Sequence, residues 1–378
     1  MMNIISHNTI PLPLVRGSIW GTSIEKVTWE DFDEMRHHSI LALPAQLLAS
    51  VEMPKELHDQ WKTEILKQIS YNVTCRYAES VLPISVPYVV LKGTSAAQYY
   101  PNPELRTLGD IDILTKPEDT EAACESLLLN GYRESTSLSD IQEGRHRTFT
   151  KNGILVEVHY SFAIMNDPEK AKMFDSLIFE QIGNSHVLPD LMNGLILIEH
   201  INQHLESGLG LRHVIDWMLF ADKCLTDETA WTQFMELATR VGLETLATAT
   251  TRMCEMYLGM PAHPWRKHSD ESLCSQLMRH VLTSGNFGRK KTTEEKKSFY
   301  RFIKIRHPNT ALKELQQKGK EEWKNVKIPG LRAFAWLWKG TQFIKDIPFM
   351  AKHYCSIKRH KKMLEELGVV IKDLDQKQ

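Results

Sequence analysis

The sequence has little net charge, few cysteines and no long apolar run. Its 378 residues carry a formal net charge of -1, which gives no overall bias towards nucleic acid. Its six cysteines lie far apart and form no C-x-x-C pair, so we expect reduced thiols in a cytoplasmic protein and neither a disulfide scaffold nor a cysteine zinc module. No apolar run is long enough to span a bilayer, and the N-terminal residues lack the pattern of a secretion signal.

Two common nucleotide-binding signatures are also missing. The sequence contains no G-x-x-x-x-G-K-[ST], which argues against a P-loop NTPase, and no G-x-G-x-x-G, which argues against a Rossmann domain. The composition, 42% hydrophobic and 25% charged, is ordinary for a globular protein of two or three domains.

An apolar run near residue 90 leads into a tight turn. The run from Val89 to Leu91 predicts a buried strand, and Lys92-Gly93 predicts the turn that ends it. Thr94 or Ser95 can then cap a short helix that stops before the next proline.

A second strand is predicted after this helix, and it contains two acids. Asp110 and Asp112 are two residues apart, so they share one face of the strand while Ile111 and Ile113 point into the core. The two carboxylates repel each other unless a cation lies between them, and Mg²⁺ prefers carboxylate oxygens. The pattern therefore predicts a metal site. The alternative is an acidic pair near a turn, at the edge of a strand, that binds no metal.

Glu157 is the candidate for a third metal ligand. Residues 146–151 and 154–160 are strand-like, and Asn152-Gly153 between them predicts a hairpin. A salt bridge from Glu157 to Arg145 or Arg147 is the alternative. Three carboxylates can hold two ions about 4 Å apart, the clamp that serves phosphoryl or nucleotidyl transfer. In that interpretation Glu157 also is the general base, or lies next to it.

Further polar residues are candidates for contact with a nucleotide. The turn after the first strand can present N–H groups and hydroxyls to phosphates, or be a plain helix cap. Lys92 and Arg106 can neutralise phosphate charge or pair with the carboxylates. His159 shares the face of Glu157 and can hydrogen-bond a metal ligand. The predicted nucleotide-binding residues are Lys92, Gly93, Thr94, Ser95, Arg106, His159, His200, His204 and Arg212.

His200 and His204 lie four residues apart on a predicted helix and so share one face. This spacing is known among zinc ligands, but Glu199 precedes the first histidine, whereas a zincin needs the glutamate directly after it. The preferred interpretation is that the two histidines form an inter-domain pair whose hydrogen bonds are satisfied within the protein, or that they contact the base, the ribose or the acceptor. Arg212 and Asp216, also four apart, predict an internal ion pair.

These motifs together resemble a known family. LKGTSAAQYYPNPELRTLGDIDIL, VEVHYSF and HINQHLESGLGLRHVIDW are similar to the bacterial uncharacterised nucleotidyltransferases, within the superfamily related to DNA polymerase beta. The resemblance runs from about Tyr71 to Phe220. One departure is the turn Lys-Gly-Thr-Ser, where many superfamily members have Gly-Gly-Ser or Gly-Ser.

The resemblance implies an enzyme that uses two Mg²⁺ or Mn²⁺ ions to move an NMP group from an NTP to an acceptor. Asp110, Asp112 and Glu157 would be both its catalytic residues and its metal ligands. The acceptor would be a small molecule or sugar, or else a protein or tRNA. The alternative is a catalytically silent module that docks to a membrane surface or a partner through residues 330–362. RNA binding would need a basic, aromatic groove beside the site.

The predicted fold class is α+β, with a small mixed sheet flanked by helical regions. We expect an N-terminal helical cap over residues 1–80, a nucleotidyltransferase core over residues 81–165, and a helical substrate-side domain over residues 166–287. A basic segment that contains aromatic residues then covers residues 288–378. Within the cap, a first helix is predicted to begin at Thr28 or Ser23 and to continue through residues 40–51, and a second to begin after Pro54.

Overall fold

The computed structural model describes residues 5–6, 8–135, 145–165, 167–183, 185–206, 208–266, 269–290 and 358–369. The chain divides into two compact units, Met1–Arg289 and Lys290–Gln378. In the second unit the described residues, 358–369, are mainly helical. The rest of the predicted basic segment, with most of residues 330–362, lies outside the described residues. The finer division into a cap, a core and a substrate-side domain stays a prediction.

A five-stranded mixed sheet is the framework of the first unit. Its strands are β1 (Tyr88–Leu91), β2 (Ile111–Thr115), β3 (Arg133–Glu134), β4 (His146–Lys151) and β5 (Ile154–His159). Their order across the sheet is β1-β2-β5-β4-β3. Strands β2 and β5 are parallel, and the other neighbours are antiparallel. The predicted α+β class with a small mixed sheet is confirmed.

The hairpin between β4 and β5 forms where the sequence predicts it. Asn152 and Gly153 both adopt positive φ, 52° and 79°, which a two-residue type I′ turn requires. In β2, Ile111 and Ile113 are buried in the same apolar cluster as Val156 of β5. Alternation along β2 therefore leaves its acidic residues on the opposite face.

Helices precede, interrupt and follow the strands along the chain. Before it come α1 (Leu12–Trp20), α2 (Trp29–His37) and α3 (Lys55–Ser80). Within it come α4 (Gly93–Ala97) and α5 (Thr120–Leu129). After it come α6 (Pro168–Phe179), α7 (Asp190–His204), α8 (Leu211–Cys224), α9 (Glu228–Val241), α10 (Glu244–Tyr257) and α11 (Glu271–Ser284). Among the helices of the described ranges, none has both the length and the apolar character needed to cross a membrane.

The starts of α2 and α3 are predicted correctly, whereas α1 (Leu12–Trp20) was not predicted. Thr28 caps α2 through a capping box with Asp31, and α3 begins directly after Pro54. The expected continuation of the first helix through residues 40–51 is wrong, because α2 ends at His37 and most of residues 40–51 form turns. Ser39 adopts φ 56° just before them, and Pro44 within them lacks the N–H that a continuous helix would use.

Helix α4 connects the sheet to the later helices. It follows β1 directly and packs against both α7 and α8. Asn193 of α7 donates from Nδ2 to the Ser95 carbonyl oxygen at 3.2 Å, and Tyr99 donates to Asp190 at 2.9 Å. The turn at the end of β1 is thereby fixed next to the helices that carry the histidines.

Candidate active site

Two acidic residues lie opposite each other on neighbouring strands. Asp112 in β2 is paired with Glu157 in β5, and the strands are parallel, so both side chains lie on one face of the sheet. Asp110 comes one residue before β2. Carboxylate oxygens of Asp110, Asp112 and Glu157 lie within 4.8 Å of one another. The structure brings these three predicted site residues together.

Two basic side chains contact the acids. Asp112 is only 3% exposed, and its Oδ1 lies 2.8 Å from Lys92 Nζ and 3.0 Å from His159 Nε2. The same histidine nitrogen lies 3.2 Å from Glu157 Oε2. His159 therefore connects the carboxylates of the two strands and orients both.

The charges at this site shift the pKa values of their neighbours. Burial would raise the pKa of Glu157, but the hydrogen bond from His159 and the charge of Lys92 lower it overall. Burial would lower the pKa of Lys92, but Asp112, Asp110 and Glu157 raise it overall. In the same way, bonds to Asp112 and Glu157 outweigh burial and raise the pKa of His159. Glu157 is thus ionised at neutral pH and available as an oxygen ligand.

The turn that carries Lys92 has an unusual backbone. Lys92 adopts φ 52° and ψ -131°, and Gly93 adopts φ 31°. The two predicted phosphate-binding hydroxyls are bonded within the protein. Thr94 donates to Glu79 at 2.7 Å, and Ser95 donates to the Val90 carbonyl oxygen at 2.9 Å. This turn can therefore offer its backbone N–H groups to a phosphate, but not these two hydroxyls.

Two arginines, Arg145 and Arg147, are predicted as alternative partners of Glu157, and Arg145 donates to the Phe162 carbonyl oxygen at 3.2 Å. Arg147 pairs with Glu121 and Glu134, each at 2.8 Å. The imidazole of His146 lies 3.8 Å from Glu157 Oε1. These contacts leave Glu157 facing the other two acids.

Arg106 forms a buried ion pair with Asp216, for which Arg212 was the predicted partner. Its Nε and Nη2 donate to the two carboxylate oxygens of Asp216 at 2.8 and 2.7 Å, and Tyr100 also donates to Asp216 at 2.9 Å. The predicted partner of Asp216 was Arg212, one helical turn earlier, and this prediction is wrong. A planar guanidinium that reaches both carboxylate oxygens holds Asp216 better than the helical neighbour does.

Arg212 instead lines a cleft beside Asp110. Its Nη1 makes one long contact of 3.5 Å with the Thr107 carbonyl oxygen, and within the described residues its Nε has no hydrogen-bond partner. Burial lowers the pKa of Arg212, and the charge of Arg106 lowers it further. The cleft has a volume of about 550 Å³, and Arg36 and Arg289 also line it. Its cationic wall next to an acidic cluster is suited to an anionic ligand.

Three histidines meet between α7 and α8. His200 Nε2 and His204 Nε2 lie 3.1 Å apart, and the ring of His213 lies 4.4 Å from that of His204 between centroids. His200 and His213 are buried. His213 is not among the predicted site residues, although its position on the adjacent amphipathic helix α8 could have identified it.

Asn72 in α3 is a positioning residue that sequence reasoning missed. Its amide donates to the Glu104 and Arg106 carbonyl oxygens, each at 2.8 Å, and its Oδ1 accepts from Leu108 N at 3.0 Å. These bonds fix the loop that leads to Asp110. The available signal was a polar residue seven positions after Ile65, on the apolar face of the helix.

Comparison with known proteins identifies a family. The model of a family described as "Uncharacterised nucleotidyltransferase" matches residues 25–259, which contain the acidic cluster, Lys92, Arg106, Arg212 and the three histidines. Neither a curated protein nor a solved structure matches the chain significantly.

Proposed function

Because the chain belongs to the uncharacterised nucleotidyltransferase family, we propose that it moves an NMP group from an NTP to an acceptor and releases pyrophosphate. The register of β2 and β5 carries the proposal, since it sets Asp112 opposite Glu157 with Asp110 beside them. The likeness to the wider superfamily related to DNA polymerase beta is part of the same proposal.

The acidic cluster fits a divalent cation. Its ligands are carboxylate oxygens, the class that Mg²⁺ and Mn²⁺ prefer, and their mutual spacing within 4.8 Å suits shared coordination. We propose that Asp110, Asp112 and Glu157 hold two such ions. Bound Mg²⁺ would neutralise charge on the triphosphate and polarise the attacked phosphoryl group.

The protein side chains would position the reactants. His159 holds Asp112 and Glu157 in place through its 3.0 and 3.2 Å contacts. Glu157, whose pKa is lowered, is ionised and is the candidate to accept the proton of an acceptor hydroxyl. Lys92 can exchange its contact with Asp112 for a phosphate oxygen. The N–H groups of the turn at Gly93 complete this phosphate-binding set.

The cleft beside Asp110 is the proposed entrance for an anionic substrate. Its volume of about 550 Å³ is in the range of small-molecule sites. Arg212 faces it with donors that the protein leaves largely unused. We propose that Arg212 binds phosphate there, and that the acceptor is a small molecule or sugar, or a protein or tRNA. Arg106 would support the site through Asp216, without touching the nucleotide.

The test is pyrophosphate release by the full-length protein with Mg²⁺ and each NTP, with cell extract as the source of acceptor. The variant Asp110→Asn/Asp112→Asn should release none. The matched control is Asp59→Asn, which alters a carboxylate that is 64% exposed on α3.

A second measurement separates metal binding from turnover. Mg²⁺ or Mn²⁺ should raise the unfolding temperature of the wild type and of Asp59→Asn more than that of the double variant. Equal shifts in all three proteins would remove the metal site. A metal-dependent shift without pyrophosphate release under any condition would favour the silent interaction module.

A further inference from the structure

Three histidines form another group of possible metal ligands, and this group shares no residue with the acidic cluster. His200 and His204 extend from α7, and His213 extends from α8. One ring nitrogen from each lies within 4.8 Å of the others. The two Nε2 atoms of α7 are 3.1 Å apart. Two ligands of one tetrahedral zinc, each about 2.0–2.1 Å from the metal, would be separated by roughly 3.3 Å.

A hydrogen bond between His200 and His204 would explain the short distance between their Nε2 atoms, but it would not explain why the ring of His213 lies beside them. His213 is 1% exposed, and neither of its ring nitrogens makes a hydrogen bond within the described part of the chain. Burial and the neighbouring His204, Arg212 and Arg106 lower its pKa, and a contact with the Gly210 backbone acts in the opposite direction. Buried polar atoms normally have a hydrogen-bond partner. A buried imidazole that lies against two others and has no such partner therefore indicates a bound ligand.

We propose that His200, His204 and His213 bind one Zn²⁺ ion at a site distinct from the acidic cluster. Neutral imidazole nitrogen is a preferred zinc ligand, whereas Mg²⁺ prefers oxygen. The two sites therefore select different metals. Three protein ligands leave the fourth tetrahedral position for water or for an oxygen atom of a substrate.

The surroundings of the histidines favour this assignment. Burial lowers the pKa of His204 to about 3 and holds the pKa values of His200 and His213 well below the usual range, so the rings are neutral. The ring of Phe287 lies edge-on to His204 at 4.9 Å between centroids and covers one side of the group.

The nearby charges indicate the nature of the fourth ligand. Lys92, Arg212 and Arg145 lower the pKa of His204 electrostatically and Asp112 raises it, so cations outnumber anions around this ring. Because these cations oppose a dication, an anion in the fourth position, hydroxide or a phosphate oxygen, would be favoured. The site is not that of a zincin protease, since the Glu199 carboxylate accepts from Ile164 N at 2.8 Å and from Asn202 at 2.9 Å.

The experiment is Zn²⁺ titration of the full-length, chelator-treated protein against a chromogenic competitor, with Co²⁺ as a spectroscopic probe. We expect one tight equivalent of Zn²⁺ and the intense visible bands of tetrahedral Co²⁺. His204→Ala, at a partly exposed position, should weaken Zn²⁺ binding by more than the about 10- to 100-fold typical of outer-shell changes. His204→Cys should restore binding and add sulfur-to-cobalt absorption.

Two further variants separate the sites. His58→Ala, which removes a histidine that is 41% exposed, and Asp110→Asn/Asp112→Asn should both keep the zinc equivalent. Absence of tight Zn²⁺ binding, octahedral Co²⁺ spectra, or equal Zn²⁺ affinity of His204→Ala and wild type would overturn the proposal. His213→Gln gives the same comparison if His204→Ala fails to fold. Because no nucleotide is present, the outcome is independent of nucleotidyl transfer.

Discussion

The Arg106–Asp216 pair offers the sharpest test of how the active site is held. Both side chains are nearly fully buried, at 3% and 1% exposure, and they share two hydrogen bonds of 2.8 and 2.7 Å. The pair joins the loop before Asp110 to helix α8. We expect Arg106→Met to remove the positive charge while keeping much of the side-chain volume, and to leave Asp216 buried without its counter-ion.

The expected loss of stability in Arg106→Met follows from the burial of the ion pair. Breaking a buried ion pair by removing one partner costs about 3–5 kcal/mol. Unfolding entropy of about 2.1 cal/mol/K per residue gives roughly 0.6 kcal/mol/K for the unit Met1–Arg289. The unfolding temperature of Arg106→Met should therefore fall by about 5–8 °C. In Arg106→Met/Asp216→Leu no charge is left unpaired, and at least half of the loss should be recovered, although the Tyr100 hydroxyl then lacks its acceptor.

Thermal unfolding followed by circular dichroism measures these values. The matched control is Lys67→Met, which breaks an exposed pair with Glu64, with lysine and glutamate 67% and 37% exposed, and should cost less than about 1 kcal/mol. A shift for Arg106→Met no larger than that of Lys67→Met would refute the reasoning. So would a double variant as unstable as the single one, because the penalty would then come from lost packing.

Three further outcomes are expected. Asp112→Asn should lower pyrophosphate release by at least about a hundredfold, since a metal ligand contributes several kcal/mol to the transition state, while Asp59→Asn keeps the wild-type rate. Burial raises the pKa of Glu199 from 4.5 to about 7, so its contribution to stability is complete below about pH 4.5 and is lost as pH rises towards 7, by about 3 kcal/mol. The unfolding temperature of Glu199→Gln should change less than that of the wild type between pH 5 and pH 7.5, and parallel curves would contradict this. Gly194→Ala places a methyl group in steric clash with Cζ and Cε1 of Phe220 and 2.9 Å from Cε2 of Phe234. Its unfolding temperature should therefore fall by about 2–5 °C, from an overpacking cost of about 1–3 kcal/mol, and an unchanged midpoint would show that the rings can move aside.

Local patterns predict much of the sheet. The Asn152-Gly153 turn fixes the register of β4 and β5, and the alternation in β2 fixes the face of Asp112. The parallel pairing of β2 with β5, however, joins segments that are far apart in the chain. Local patterns could therefore suggest that Glu157 lies next to Asp110 and Asp112, but they could not establish this proximity.

Long-range partners account for the main error at the site. Helical spacing favours Arg212 with Asp216, but Arg106, 110 residues away from Asp216 in the chain, reaches both carboxylate oxygens. Spacing rules compare only residues on one element, so they cannot rank a competitor from another element. The same limit separates His213 from the histidine pair on α7.

The backbone at Lys92 has a consequence for stability. Its φ of 52° with ψ of -131° is a conformation suited to glycine, and a lysine held there costs of order 1–3 kcal/mol. The ammonium group, 2.8 Å from Asp112, is the compensating gain. A search for stabilising substitutions would select glycine here and remove the cation from the acidic cluster, so the position marks a conflict between robustness of the fold and chemistry of the site.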